Sequence, residues 1–577
     1  MRLIRFLGVT GLIVLASGIA AMAGQAVADI PISFDPDYRA KARGARIVAE
    51  QELASIKAPS ALVRLPNRKL ALMVRDSSGR MQPFYVRGLG GVGYWKTTRP
   101  AAADLERTFS DYPKLSANTA LFGIHWRDIE PEDGQFDFRF TDMVAAAAAK
   151  HGVKIWWVLF MHFQPDIWPE PNLDKFWVYH LDDRDGRNYT VQWLKDEHGN
   201  VYDSIDRLLG LDRPSEVLPV YGHPKVFPRV LRMVRTLARH YRDSSTVIGV
   251  QMGNEEGFNL YSGHGEDLAK IWETDFNPFA LEWYASWKQN TGKSDWVAFK
   301  LEAVKYWWSR FTTAYHEEDP YKLISFNLLG GGPETNQPWA IREEGADSST
   351  YGDGNLDAVG SMFYGDRAAL MWPNLDQHYD YVYRRPVLIP SEIGLRTQDS
   401  RFQNNVIATL ERGAQGFGIW SYSRGMIGQD GALSVNGARV QKLAAMIAAN
   451  EDVIHPGLPG PGDVTIKASG EAKASQLHTS VATLGIVHLP NAPWEENPGK
   501  VDVTVSIKAN KAGRYAILTY RNGEPQPTAE ADLRADETKT IDIPDFVKTE
   551  AIFLKVKRSA PPTATSSPRR SMRAPRG

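Results

Sequence analysis

The chain runs to 577 residues with 67 basic and 68 acidic side chains, a formal net charge of −1 and no cysteine. That length exceeds what one hydrophobic core usually serves and points to a large domain with at least one smaller companion. Balanced charge excludes a global field that would recruit nucleic acid or an anionic membrane, and the missing cysteines exclude thiolate metal sites, cysteine nucleophiles and disulfide staples.

At the N-terminus, Arg2 and Arg5 precede a mostly apolar stretch over 6–23, and Ala26-Val27-Ala28 supplies a small-x-small cleavage pattern. A signal peptide over 1–28 is expected, with export to the periplasm or outside the cell and no stable membrane insertion after its removal. Residues 29–82 are expected to hold an amphipathic helix over 37–56 and then a hairpin, 70–76 against 83–91 across the turn Ser77-Ser78-Gly79. The second arm becomes the first strand of the main domain. Gly88, Gly90 and Gly93 lack the spacing of a dinucleotide-binding loop.

From 83 to 450, short apolar runs alternate with helical stretches, the pattern of parallel strands joined by crossover helices. Strands are expected at 83–91, 117–126, 153–163, 247–257, 323–331, 356–365, 385–394 and 415–423, with helices over 140–150 and 224–241. Eight such strands predict an α/β chain folded as a (β/α)8 TIM barrel with long insertions. An open doubly wound sheet is the alternative, and it brings the fourth and seventh strands face to face less readily. Beyond 450, alternating runs over 463–469, 484–490, 501–507 and 551–557 predict a C-terminal all-β sandwich domain over 455–558 that binds polysaccharide or braces the barrel. The tail, 559–577, has four arginines among Pro and Ser and is expected to be disordered.

Two strand ends carry the chemistry. VIGVQMGNEEG (247–257) passes from an apolar run into Asn254 and Glu255, and RPVLIPSEIG (385–394) ends in Glu392. Their separation is about three strand-plus-helix repeats, which sets them on the fourth and seventh strands of a barrel whose carboxyl ends converge on one face. Cleaving an acetal takes one carboxyl that protonates the departing oxygen and another that attacks or stabilises the sugar cation. Glu256 follows Glu255 directly, and neighbouring strand residues face opposite ways, so one of the two points into the barrel mouth. His162, Tyr364 and Trp420, ending strands three, six and eight, are candidate substrate contacts, as are Trp126 and Trp168. Arg127 and Glu130 lie just past strand two, where an arginine is placed either to pair with a catalytic carboxylate or to join a surface salt bridge. The 17 tryptophans exceed what a core needs; most are expected to pack and a minority to offer flat faces for sugar stacking, and the aromatic-rich segment 168–221 is expected to wall the cleft as a lid or to form a small subdomain. The 13 histidines show no metal-ligand spacing, so no metal or cofactor is expected.

These residues resemble clan A of the glycoside hydrolases, whose members share the barrel and an Asn-Glu pair ending strand four. Within the clan, WRDIEPEDGQFDF (126–138) and PDIWPE (165–170) are similar to the strand-two and strand-three regions of family 42, the β-galactosidases. The resemblance covers about 83–450. It implies Glu255 as general acid/base, Glu392 as nucleophile, Asn254 as donor to the substrate 2-hydroxyl, Tyr364 as a contact of the nucleophile and Trp420 as a platform under the sugar. It also implies an oligo- or polysaccharide partner and retention of anomeric configuration, with an ionised Glu392, a Glu255 of raised pKa and carboxyls about 5 to 5.5 Å apart. The residues leave open an endo-acting glucanase, mannanase or agarase, a transglycosylase, and a non-catalytic carbohydrate-binding barrel. No motif selects the sugar.

Overall fold

The computed structural model describes residues 35–92, 99–161, 176–181, 222–253, 278–327, 355–360, 362–363, 379–395, 401–422, 425–428, 430–490, 499–521 and 523–559, with isolated pieces at 183–184, 187–188, 194–195, 201–202, 352 and 376. The expected leader over 1–28 and nearly all of the expected tail lie outside them. Among the described residues no helix is long and apolar enough to cross a membrane.

Eight strand positions pair in parallel, each with the next in chain order. They are Val86–Val92, Thr119–His125, Lys154–Phe160, Val247–Met252, Leu323–Phe326, an interrupted sixth (Ala358–Val359 and Met362–Phe363), an interrupted seventh (Val387–Leu388 and Glu392–Gly394), and Gly416–Trp420. The eighth pairs back onto the first, Gly416 opposite Val86 and Gly418 opposite Gly88, so the pairings close into a ring that fits the expected barrel. Alternation along each strand separates two cores. In the third strand Trp156, Val158 and Phe160 fill the interior, while Ile155, Trp157 and Leu159 face the surrounding helices. The helix Val226–Tyr241 meets that outer face with a buried stripe of Val230, Leu231, Val234, Leu237, Ala238 and Tyr241. A pair of helices not anticipated from sequence, Pro278–Thr291 and Trp296–His316, precedes the fifth strand. The second of these starts where the Asp295 side chain accepts from the Ala298 N–H at 2.6 Å, an N-cap.

The N-terminal expectation needs correction. The helix closes after one turn, Tyr38–Lys41, and the chain continues as a strand, Ile47–Ala49, paired in parallel with Ser60–Arg64. Helix propensity is overridden by contact: a Cβ on Gly44 would sit 1.4 Å from Arg385 Nη1, and the Ala45 N–H donates to Asp357 Oδ1 at 2.7 Å. The hairpin differs from the expected one: the first barrel strand, Val86–Val92, is a separate strand and not its second arm, and Leu70–Arg75 pairs instead with Met81–Pro83, completing a four-stranded sheet. Its Leu62, Leu70, Leu72 and Val74 share one cluster with Val86, Leu121, Trp156 and Leu323, so this sheet plugs the amino-terminal end of the barrel.

Asp357, ahead of the sixth strand, ties this end together. Fully buried, it accepts from Ala45 N–H and Arg385 Nη1 at Oδ1, both at 2.7 Å, and from Ile324 N–H at 2.9 Å at Oδ2, where His316 Nε2 also lies at 2.7 Å.

After the last barrel helix, Val435–Ala448, antiparallel sheets of six and three strands enclose a core that includes Val464, Val505, Ile507, Ile517, Leu554 and Val556. A second apolar set, Leu477, Leu484, Ile486, Tyr520 and Phe553, packs into the same cluster as Val440, Leu443 and Ile447 of that helix. Asn404 Nδ2 donates to Pro490 O at 2.7 Å, and the buried Lys555 Nζ meets Asp452 at 2.5 Å. The β domain thus braces one flank of the barrel.

Candidate active site

At the carboxyl ends of the strands, Gly90, Gly91, Leu121, Gly123, Val158, Gln251, Ser391, Glu392 and Trp420 line a narrow recess. Glu392 is the titratable group among them and is 6% exposed. Its direction follows from a local irregularity. Val387 and Ile389 belong to the interior cluster and Leu388 to the outer one, so strict alternation would send residue 392 outward. Instead Val359 stands opposite Leu388 while Met362 stands opposite Glu392, so the seventh strand spends one residue more than the sixth over this interval. That extra residue, at the Pro390-Ser391 interruption, reverses the faces: Ile393 joins the outer core and Glu392 lines the recess. The interruption is held by Gly418 N–H donating to Pro390 O at 2.7 Å and by Ser391 Oγ donating to Gly360 O.

Two amides serve the same region. In the fifth strand Leu323 faces inward and Ile324 and Phe326 outward, and Asn327, the next inward position, is fully buried and donates from Nδ2 to Glu392 Oε1 at 3.1 Å. Gln251 in the fourth strand donates from Nε2 to Gly253 O at 3.0 Å, just before the Asn254-Glu255 pair. Sequence reasoning passed over both; the signal was an amide at an inward position near the end of a strand.

Trp420 reaches the recess because the first strand yields to it. A Cβ on Gly90 would come within 3.2 Å of the indole, and one on Gly91 (φ +68°) within 2.5 Å of Ser421 Cβ. Tyr422 N–H donates to Gly90 O at 2.9 Å, which fixes the exit of strand eight against strand one. Gly91→Ala is expected to cost about 1–2 kcal/mol in urea unfolding from backbone handedness alone, and to slow turnover because Trp420 and Ser421 must shift. A variant as stable and as active as wild type would show that this exit has room to spare.

Past strand two, Trp126 and Glu130 have a different role. Trp126 is 1% exposed, lies edge-on to Phe176 and Trp177 with ring centroids 5.6 Å away, and donates from Nε1 to Glu130 Oε2 at 2.7 Å. It packs and is not among the residues lining the recess. Glu130 also accepts from Gly134 N–H at 2.8 Å and pairs with Arg232, while its carbonyl accepts from Trp177 Nε1 at 3.0 Å. The Glu130 pairing is therefore a buried one with a helix arginine and not a surface ion pair. These bonds pin residues 176–181, part of the long segment expected as a lid or subdomain, between strand two and the helix Val226–Tyr241. Burial pushes the Glu130 carboxyl up to about 7, against the pull of Arg232, the Trp126 indole and Gly134 N–H. Since its folded pKa lies above the ordinary 4.5, its contribution is complete below pH 4.5 and lost as pH rises through 7. Wild type should therefore lose about 3 kcal/mol of stability across that interval from this group. Glu130→Gln should flatten the slope in urea melts run from pH 4.5 to 7.5, and an unchanged slope would refute the assignment.

Of the sequence-predicted site residues, the structure brings Glu392 and Trp420 together. Asn254, Glu255, His162, Tyr364 and Trp168 lie outside the described residues, as does the spacing between the two carboxyls. Among the described residues no group of three or more His, Asp and Glu side chains is placed to hold a metal ion.

No protein-family model matches the chain, and none of the curated proteins matches it. Among solved structures it is similar to one described as a glycoside hydrolase, at 11% identity and a TM-score of 0.44 over 87% of this chain and 97% of that one. It is similar also to a β-galactosidase from the psychrophilic Marinomonas ef1, at 13% identity and a TM-score of 0.41 over 65% of this chain and 62% of that one. A third is a family 39 glycoside hydrolase from the gut symbiont Bacteroides cellulosilyticus, at 11% identity and a TM-score of 0.41 over 85% and 87% of the two chains.

Proposed function

We propose that the chain is a retaining glycoside hydrolase acting on β-linked glycosides in the manner of a β-galactosidase, with Glu392 as nucleophile and Glu255 as acid/base. The observation that carries the reading is the aim of Glu392: a buried carboxyl turned by an extra strand residue into a recess that it shares with Trp420, with an amide donor on one of its oxygens. A carboxylate is a costly group to enclose, and enclosing it beside an aromatic face at the carboxyl end of parallel strands suits attack on a sugar ring.

In the proposed cycle Glu392 attacks the anomeric carbon while the bond to the leaving oxygen breaks and Glu255 gives that oxygen a proton. Water, passing a proton to Glu255, then displaces Glu392 and releases the sugar with its configuration retained. The test is hydrolysis of a panel of aryl β-glycosides and of plant, algal and bacterial polysaccharides by wild type and Glu392→Gln side by side. Cleavage of β-galactosides ahead of the other sugars is expected; if another sugar leads, the galactosidase assignment falls while the hydrolase assignment stands.

A further inference from the structure

We propose that Asn327 is a positioning residue for Glu392, an amide that crosses the barrel mouth from strand five to strand seven to fix the plane of the nucleophilic carboxylate and favour its charged form. The two residues are not on neighbouring strands. Strand six lies between them, so the contact is made across the interior and not along the sheet. Both partners are enclosed, Asn327 fully and Glu392 at 6% exposed, with Nδ2 3.1 Å from Oε1.

A buried asparagine with its amide N–H on a carboxylate is a one-sided choice of chemistry. The donor stabilises the ionised form of Glu392 over the protonated one, while its neutrality leaves the carboxylate's charge available to a developing sugar cation, which a lysine or arginine at the same place would neutralise. The register supports the pairing: alternation from Leu323 through Ser325 puts residue 327 on the inward face, and the extra residue in strand seven puts 392 on the face that meets it. Among the described residues lining the recess Glu392 is the titratable one. His125, ending strand two, has its ring stacked on Phe160 at 5.1 Å, and Glu255 is the other carboxyl assigned to the site by sequence.

The proposal takes the nucleophilic role of Glu392 from the hydrolase reading, but the coupling between the two side chains is read independently of turnover. Asn327→Leu removes the donor, and Asn327→Asp keeps the shape while placing a second carboxyl against the first. Each is compared with its Glu392→Gln double variant by infrared difference spectroscopy, which follows the protonated-carboxyl band of Glu392 through a pH titration, and by steady-state kinetics on the best glycoside of the panel. The expected result is a rise in the Glu392 titration midpoint in both variants, larger for Asn327→Asp because two close carboxyls share a proton. A fall of about 10- to 100-fold in kcat with little change in KM should accompany it. A midpoint that stays at the wild-type value in both variants overturns the proposal, whatever happens to activity. If wild type cleaves no glycoside but the midpoint still rises, the coupling stands and the hydrolase reading falls; if wild type cleaves and the midpoint does not move, the reverse holds.

Discussion

Glu392→Gln is expected to lower kcat by at least about 10⁴-fold, as loss of a group that forms the covalent bond typically does, without a comparable loss of stability. Gln keeps the size of the side chain and an oxygen for the Asn327 amide to reach, so the recess keeps its contacts. What disappears is the negative oxygen that attacks carbon. The same difference should appear as a trapped species. A 2-deoxy-2-fluoro β-glycoside with an activated leaving group slows release of the sugar ester more than its formation, so wild type should gain one glycosyl mass on the peptide carrying Glu392 and the variant none. Equal turnover by the two proteins would remove Glu392 from the chemistry. Equal inertness with retained glycan binding would favour the non-catalytic barrel that the sequence leaves open.

Replacing Asp357 should cost more stability than any surface change. Burial by itself would raise its carboxyl, but the facing His316, with Arg385 and the Ala45 N–H behind it, holds it down to about 2 from an ordinary 3.8. With the folded value depressed, its contribution is present above pH 3.8 and lost as pH falls through 2. The shift corresponds to about 2 kcal/mol. Asp357→Asn should destabilise by about 3–5 kcal/mol at pH 7, because it leaves a buried imidazole and a half-buried guanidinium without their anion, and should remove this group's share of the acid loss between pH 4 and 2. Urea unfolding at pH 7 and at steps below pH 4 checks both. A variant within 1 kcal/mol of wild type at neutral pH would mean that the ion cluster merely balances its own desolvation.

The barrel was legible where hydrophobic runs were long. Strands two, three and four fall within the runs read from sequence, because strands covered on both faces must be apolar throughout. Strand seven and the place of Glu392 at the site were read from the strand end, but the extra residue that turns the carboxyl inward was not, since a single inserted residue leaves no mark on composition while reversing every face beyond it. Residues 37–56 failed for the opposite reason: their helix-forming composition was real, and contacts with Arg385 and Asp357, more than 300 positions later, overruled it. In the β domain the strand Glu524–Leu533 is exposed along most of its length, so it lacks the apolar alternation that betrays a half-buried strand. Asn327 was invisible because nothing local distinguishes a strand-end asparagine that braces a carboxylate from one that ends a strand in a turn.

The break in strand seven also divides labour within one stretch of chain. Below it, Val387 and Ile389 belong to the interior packing that ties the barrel to its N-terminal plug; above it, Glu392 answers to Asn327 and to the neighbouring strand ends. A hinge in the pattern separates the two halves, so core residues beneath can be exchanged for others of similar volume while the aim of the carboxyl above stays the same. The reactive end of the strand is in this sense modular: it can keep its chemistry while the foundation beneath it is repacked.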